Sequence, residues 1–317
     1  MRTADARSGR RSGRWIREGN RITVLLGSVA APETTRALPA RMSEQGWSGE
    51  IEYSIAADRA ADKNRKLMNS LGWAEHYQRI ARELLGFKSL SPDESTFAMA
   101  VADWQKRMCF GTVDGIIGPV TWSEMRHLLG LAPKLSPKPP IPEVNSLMPR
   151  AGAGFCCHKP QARRYGLPET ILALVQVGML WRLAHPTGPR VRISDISQRG
   201  GGKLSPHVSH RVGLDVDIWL MRNDGKEQVV NFRTQKSAYS QSRTQELVDV
   251  IRSNGVLPVK CIIFDDKGVR GVQGDGTHFN HVHVRFCMPA RLKTALKVKD
   301  AYPDRSPARY ECPPNRC

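Results

Sequence analysis

Long apolar runs are missing from this 317-residue chain. None approaches the roughly 20 residues that a helix needs to cross a bilayer, so no segment reads as a membrane-spanning helix. Acidic residues are also scarce: 30 Asp and Glu stand against 48 Lys and Arg, a formal net charge of +18. That imbalance points to a polyanionic partner, whether nucleic acid, an acidic membrane or an anionic cell-wall polymer. No helix-turn-helix pattern, RNA-binding signature or zinc-finger spacing accompanies the basic residues, which argues against nucleic acid. The 7 cysteines contain no CxxC pair, which excludes a zinc ribbon and a thioredoxin-type motif. If the cysteines are oxidised, the expected pairs are Cys261 with Cys287, and Cys156 or Cys157 with the tail cysteines Cys312 and Cys317; reduced, partly buried thiols are the alternative.

Apolar content (40%) and charged content (25%) are those of an ordinary globular protein, and the length allows two domains. Residues 1–66 are arginine-rich and fit no class. Within them, Trp15–Arg17 and Ile22–Leu26 flank a turn-like Glu18-Gly19-Asn20 and read as a hairpin. The competing reading is a weak signal peptide ending at Ser28-Val29-Ala30, whose apolar run is short and interrupted by Thr23 and Gly27. Residues 67–131 read as a helical unit. Leu67, Met68, Leu71, Tyr77, Ile80, Ala81, Leu84 and Leu85 share a helical face. A second helix is expected over Pro92–Arg107, with Ser91 as N-cap and Phe97, Val101 and Trp104 inward, and a third over Val120–Leu129. Residues 132–146 hold Pro133, Pro137, Pro139, Pro140 and Pro142 and read as a stiff linker. Residues 147–296 alternate helical and strand patterns around a small antiparallel sheet, an α+β domain, and 297–317 form a charged tail.

Between the second and third helices runs Asp114-Gly115-Ile116-Ile117-Gly118-Pro119 followed by Thr121-Trp122. Asp114 can accept backbone hydrogen bonds, Gly115 and Gly118 permit positive φ, and Pro119 starts the next helix, so the loop explains itself as a folding motif. Together with Trp104-Gln105 it resembles the three-helix peptidoglycan-binding domain of cell-wall hydrolases. That resemblance implies a wall-binding role for a unit marked by Trp104, Asp114, Gly115, Gly118 and Trp122.

Two windows carry the chemistry: Ser205–Trp219, with His207, His210, Asp215 and Asp217, and His278–Phe286, with His278, His281 and His283. In a strand over Leu214–Leu220, Asp215, Asp217 and Trp219 share one face and Leu214, Val216, Ile218 and Leu220 the other. An apolar strand that repeats carboxylates on one face implies a polar site there. His281 and His283 share a strand face about 7 Å apart, too far to ligate one ion side by side, so one ligates and one stands beside the metal. Two imidazoles, a carboxylate and an open position are what a catalytic zinc takes.

The pattern His210-x6-Asp217, then His278-x2-His281-x-His283, is similar to the penicillin-insensitive murein endopeptidases, zinc peptidases grouped with lysostaphin and the D-alanyl-D-alanine peptidases. The likeness runs through Asp195-Ile196-Ser197, Gly200–Gly202, Ser209, Gly213–Ile218 and His283-Val284-Arg285. It implies that His210, Asp217 and His283 bind one Zn2+ per chain, that His281 is the catalytic base and that His278 is a second catalytic histidine. It also implies hydrolysis of the D-alanyl–meso-diaminopimelate cross-links of peptidoglycan, in the periplasm or outside the cell. A non-catalytic wall-binding protein, or a D,D- or L,D-carboxypeptidase on the same fold, is the alternative. Asp215 is read either as orienting a ligand histidine or as a solvated carboxylate. His207 occupies a position that such proteins associate with additional metal, but residues 221–260 contain no histidine to partner it.

Overall fold

The computed structural model describes residues 57–88, 92–131, 141–292 and 312, and the backbone of 14–18 and 21–25. It falls into two compact units, Met1–Gln45 and Gly46–Cys317. In the first, β1 (Arg14–Glu18) and β2 (Arg21–Leu25) pair antiparallel with Glu18 opposite Arg21, the expected hairpin.

The second unit opens with α1 (Ala57–Ser70), which starts inside the stretch that sequence leaves unclassified rather than at 67. Asn64 shows why it belongs to the helical unit. Its buried side chain donates to Gly115 O at 2.8 Å and accepts from Ile117 N at 2.7 Å, so α1 ties down the glycine loop. A short α2 (Tyr77–Arg79) is flanked by a 3-10 turn and a π turn. Then follow α3 (Glu94–Arg107) and α4 (Pro119–Leu128). The N-cap of α3 is Asp93, whose carboxylate accepts from Thr96 N at 2.9 Å, two residues beyond the expected Ser91, which lies outside the described residues. Trp104 and Trp122 are buried with Phe97, Val101, Ile117 and Met125 in this unit's own core.

Asp114 closes the loop onto itself by accepting from Ile116 N at 3.0 Å. Gln105, one residue after Trp104, accepts from Asp114 N and Gly115 N and donates to Asp114 Oδ1 and Ile116 O. Gly115 has φ +72°, as expected. Gly118 does not: at φ −78° it is the extended N-cap of α4, because Pro119 sets the helix start directly after it.

The C-terminal half contains β3 (Ser146–Leu147), β4 (Ala151–Gly152), β5 (Phe155–Cys157), β6 (Tyr165–Gly166), α5 (Pro168–Ala184), β7 (Val191–Ile193), β8 (Asp215–Trp219), α6 (Gln241–Arg252), β9 (Val259–Ile263) and β10 (His281–Phe286). One six-stranded sheet has the order β4-β5-β7-β8-β10-β9. Its pairs are antiparallel except β5 with β7. Val191, Ile193, Val216, Ile218, Val282 and Val284 share a core with Leu174, Val177 and Trp181 of α5 and Leu247 and Ile251 of α6. By strand alternation the other face is left to Asp215, Asp217, Trp219, His281, His283 and Arg285.

Of the stretch expected to be a stiff linker, residues 132–140 lie outside the described residues, and Ile141 and Val144 are buried in this core. The helical unit is not held off from the sheet. Cys109, just after α3, is disulfide-bonded to Cys156 of β5. Glu124 of α4 meets fully buried Arg164 at 2.5 Å, with Arg150 at 3.9 Å. Arg150 also lies 3.7 Å over the ring of Phe110.

The other disulfide joins Cys287 to Cys312. Both expected pairings therefore fail. Cys261 stands opposite Arg285 in the β9–β10 register, two residues short of Cys287, and an offset of about 7 Å along a strand is beyond disulfide reach. Cys156 finds Cys109 rather than the tail, and Cys157 and Cys261 are free thiols.

Candidate metal centre

Register brings the two windows together. In the β8–β10 ladder Asp217 stands opposite His283, Asp215 opposite Arg285 and Trp219 opposite His281. Cross-strand partners point to the same face, so these six side chains line one patch of sheet. His210 reaches the patch from the loop before β8. Two glycines shape that loop. Gly201 has φ +72°, and a Cβ there would fall 2.3 Å from Arg211 O; Gly213 has φ +70°, and a Cβ there would fall 2.9 Å from Gly166 Cα. His210 itself has φ +41°, a conformation that non-glycine residues rarely adopt and that tends to persist at functional positions.

Three acceptor atoms converge. His210 Nε2 lies 3.1 Å from Asp217 Oδ1, His283 Nδ1 lies 3.0 Å from the same oxygen, and the two nitrogens are 3.3 Å apart. Their partners set the tautomers. His210 Nδ1 sits 2.8 Å from Ile196 O, which can only accept, so Nδ1 carries the proton and Nε2 is bare. His283 Nε2 donates to Asp215 Oδ1 at 2.9 Å, which leaves Nδ1 bare. Two lone pairs and a carboxylate oxygen therefore face one another, all three residues being buried. Such a set needs a cation or an added proton at its centre. A tetrahedral zinc with bonds of about 2.0–2.1 Å requires neighbouring ligand atoms about 3.3 Å apart, which is close to the observed spacing. The residues fit the ion.

Burial alone would raise the Asp217 carboxyl, but the imidazoles of His210, His283 and His281 outweigh it and hold the group well below the usual range. His283 is the reverse case: burial opposes its charge, yet Asp215 and Asp217 raise it to about 9. In the metal-free protein a proton thus occupies the place that suits a cation.

His281 stands next to this set, its Nε2 3.6 Å from Asp217 Oδ1. Its Nδ1 is 2.7 Å from Asn280 Oδ1, so Nδ1 donates and Nε2 is bare. Burial, with the neighbouring imidazoles, pushes His281 down to about 4, so it is neutral near pH 7. The His278 ring lies 4.8 Å from that of His281, and its Nδ1 is 2.8 Å from Asp275 Oδ1. His207 is close but differently held. Its Nε2 bonds Asp195 Oδ2 at 2.9 Å and its Nδ1 is 3.6 Å from Asp217 Oδ2. His207, His210 and Asp217 offer atoms within 4.8 Å of one another, so His207 borders the cluster. The tighter triangle is that of His210, Asp217 and His283.

Several orienting groups escaped sequence reasoning. Asp195, salt-bridged to Arg163 and Lys159, holds His207. Asn280 and Asp275 fix the tautomers of His281 and His278, and the Ile196 carbonyl fixes that of His210. A polar residue one to three positions from a histidine carries no periodic signal, and a backbone carbonyl carries none at all. Trp104, Asp114, Gly115, Gly118 and Trp122 build the core and loop of the helical unit.

A model of a protein family described as penicillin-insensitive murein endopeptidase matches residues 144–255. A penicillin-insensitive murein endopeptidase of Haemophilus influenzae is 37% identical over 75 residues, which is 23% of this chain and 26% of that relative. The alignment thus spans about a quarter of the relative's length. The family match takes in His207, His210, Asp215 and Asp217 and ends before the His278–His283 window.

Proposed function

We propose, on the premise that residues 144–255 belong to the penicillin-insensitive murein endopeptidase family, that this chain hydrolyses peptide cross-links of peptidoglycan as a zinc peptidase. The observation that carries the reading is the convergence of His210 Nε2, Asp217 Oδ1 and His283 Nδ1, three buried acceptors 3.0–3.3 Å apart. These three residues would hold one zinc ion. Such an ion, when bound, polarises a scissile carbonyl and makes a water nucleophilic near neutral pH.

The remaining work belongs to side chains. His281 Nε2, kept bare by the Asn280 bond, takes the proton of the attacking water and returns it to the leaving amine. His278, when its ring carries a second proton, donates from Nε2 to the oxyanion that develops on the carbonyl oxygen while its Nδ1 stays anchored on Asp275. Asp215 keeps His283 in the tautomer with Nδ1 bare while it also accepts from Arg285 Nε at 2.8 Å. The bond cleaved is that between D-alanine and meso-diaminopimelate. The helical unit binds the same polymer, as its resemblance to peptidoglycan-binding domains implies, and the charge of +18 favours a matrix rich in carboxylates. The place of action is periplasmic or extracellular.

Digestion of purified cross-linked muropeptide dimers, followed by mass analysis, tests the reading. The zinc-loaded protein is expected to yield monomers and the chelator-treated protein none. Intact dimers with zinc present refute hydrolysis, and loss of a terminal D-alanine alone assigns a carboxypeptidase.

A further inference from the structure

We infer that Arg233 forms a carboxylate-binding subsite for the substrate peptide, beside the loop that carries His278; the inference rests on the hydrolase reading and adds a specificity element to it. Phe232 N donates to Phe279 O at 3.0 Å, which pins the turn after residue 231 to the residue that follows His278. The Arg233 guanidinium lies 4.7 Å over the Phe279 ring and 5.7 Å from the Phe232 ring. Two aromatic rings therefore position the cation while its side chain remains 49% exposed.

The ionic partner of Arg233 among the described residues is Asp265, and the contact is long at 3.5 Å. Asp265 is already engaged elsewhere. It accepts the backbone N–H groups of Asp275, Gly276 and His278 at 2.8–2.9 Å, and so holds the His278 loop in shape. A cavity of about 580 Å³ opens here, lined by Arg233, Phe264, Asp265, Asp266, Lys267 and Gly276. Asp266 is likewise committed, to Tyr239 Oη at 2.8 Å and Gln241 Nε2 at 2.9 Å. The cationic groups on the cavity wall are Arg233 and Lys267. Arg233 carries a planar fork of five N–H donors, of which one is used among the described residues, at the limit of hydrogen-bond range. That fork matches a carboxylate in a two-pronged contact. Cross-linked wall peptides present such groups both at their chain ends and on diaminopimelate.

The test compares three dimers with the zinc-loaded full chain: one with free carboxylates, one amidated at the chain end and one amidated on the diaminopimelate side chain. The wild type is expected to lose about ten- to hundredfold in kcat/KM on one amidated dimer, chiefly through KM, and that dimer identifies the carboxylate. Arg233→Gln is expected to lose the same factor on the free acid and nothing further on that amide, and Arg233→Lys to recover part of it. Equal losses by Arg233→Gln on all three dimers, or no loss, overturn the subsite alone. A zinc-loaded wild type inert on every dimer overturns the hydrolase reading and the subsite with it.

Discussion

Asp215→Asn probes the centre without touching a ligand. Asp215 is fully buried, and its Oδ1 accepts from His283 Nε2 at 2.9 Å and from Arg285 Nε at 2.8 Å. Asparagine keeps the shape and one oxygen but removes the charge from both bonds. Loss of such an orienting carboxylate weakens metal binding by about ten- to hundredfold, or about 1.4–2.7 kcal/mol. A second effect is independent of zinc. Arg285 is buried too, and its cation would face a dipole where it had a carboxylate, at a cost to the metal-free fold of about 3 kcal/mol. Zinc affinity is read by competition with a chromophoric chelator, and stability by urea unfolding of chelator-treated protein. If Asp215→Asn binds zinc as tightly as its parent, the reasoning is refuted, because the imidazole that Asp215 orients is then not a ligand.

Asp217→Ala is expected to remove zinc and activity together, whereas His281→Ala retains zinc and loses roughly 10² to 10⁴ in rate; metal analysis beside turnover checks both. The metal-free protein should lose stability in base. Burial notwithstanding, His283 is raised to about 9 from an ordinary 6.5, so the folded form holds this proton more tightly than the unfolded chain. That contribution is complete below about pH 6.5 and is lost as pH rises through about 9, a slope that melting curves should show without zinc and that zinc should suppress. Glu124→Ala leaves Arg164 and Arg150 buried without this carboxylate and should cost about 3–5 kcal/mol in urea unfolding; a loss under 1 kcal/mol would mean that the helical unit is not docked through it.

Much of the centre was legible along the chain because strand alternation is a local rule. Once β8 and β10 are strands, Asp215, Asp217 and Trp219 must share one face of β8, and His281, His283 and Arg285 one face of β10. The glycine loop was legible for a similar reason, since Asp114, Gly115 and Pro119 act on their immediate neighbours. Where two local solutions competed the sequence misled: Asp93 took the cap expected of Ser91, and Gly118 became a helix cap rather than a left-handed turn.

By itself, then, the sequence determined which side chains are available to hold a metal and which face of a strand each must take, since a period of two admits only two choices. The tertiary structure alone decided that these faces meet. Asp217 and His283 lie 66 residues apart, and only the β8–β10 register sets them opposite each other; a slip of one residue would turn the histidines into the core. The pairing of Cys109 with Cys156 and the burial of Glu124 against Arg164 are of the same kind. Each joins segments with no short-range interaction between them, and only the packing of the helices against the sheet domain within the second unit brings them within bonding distance.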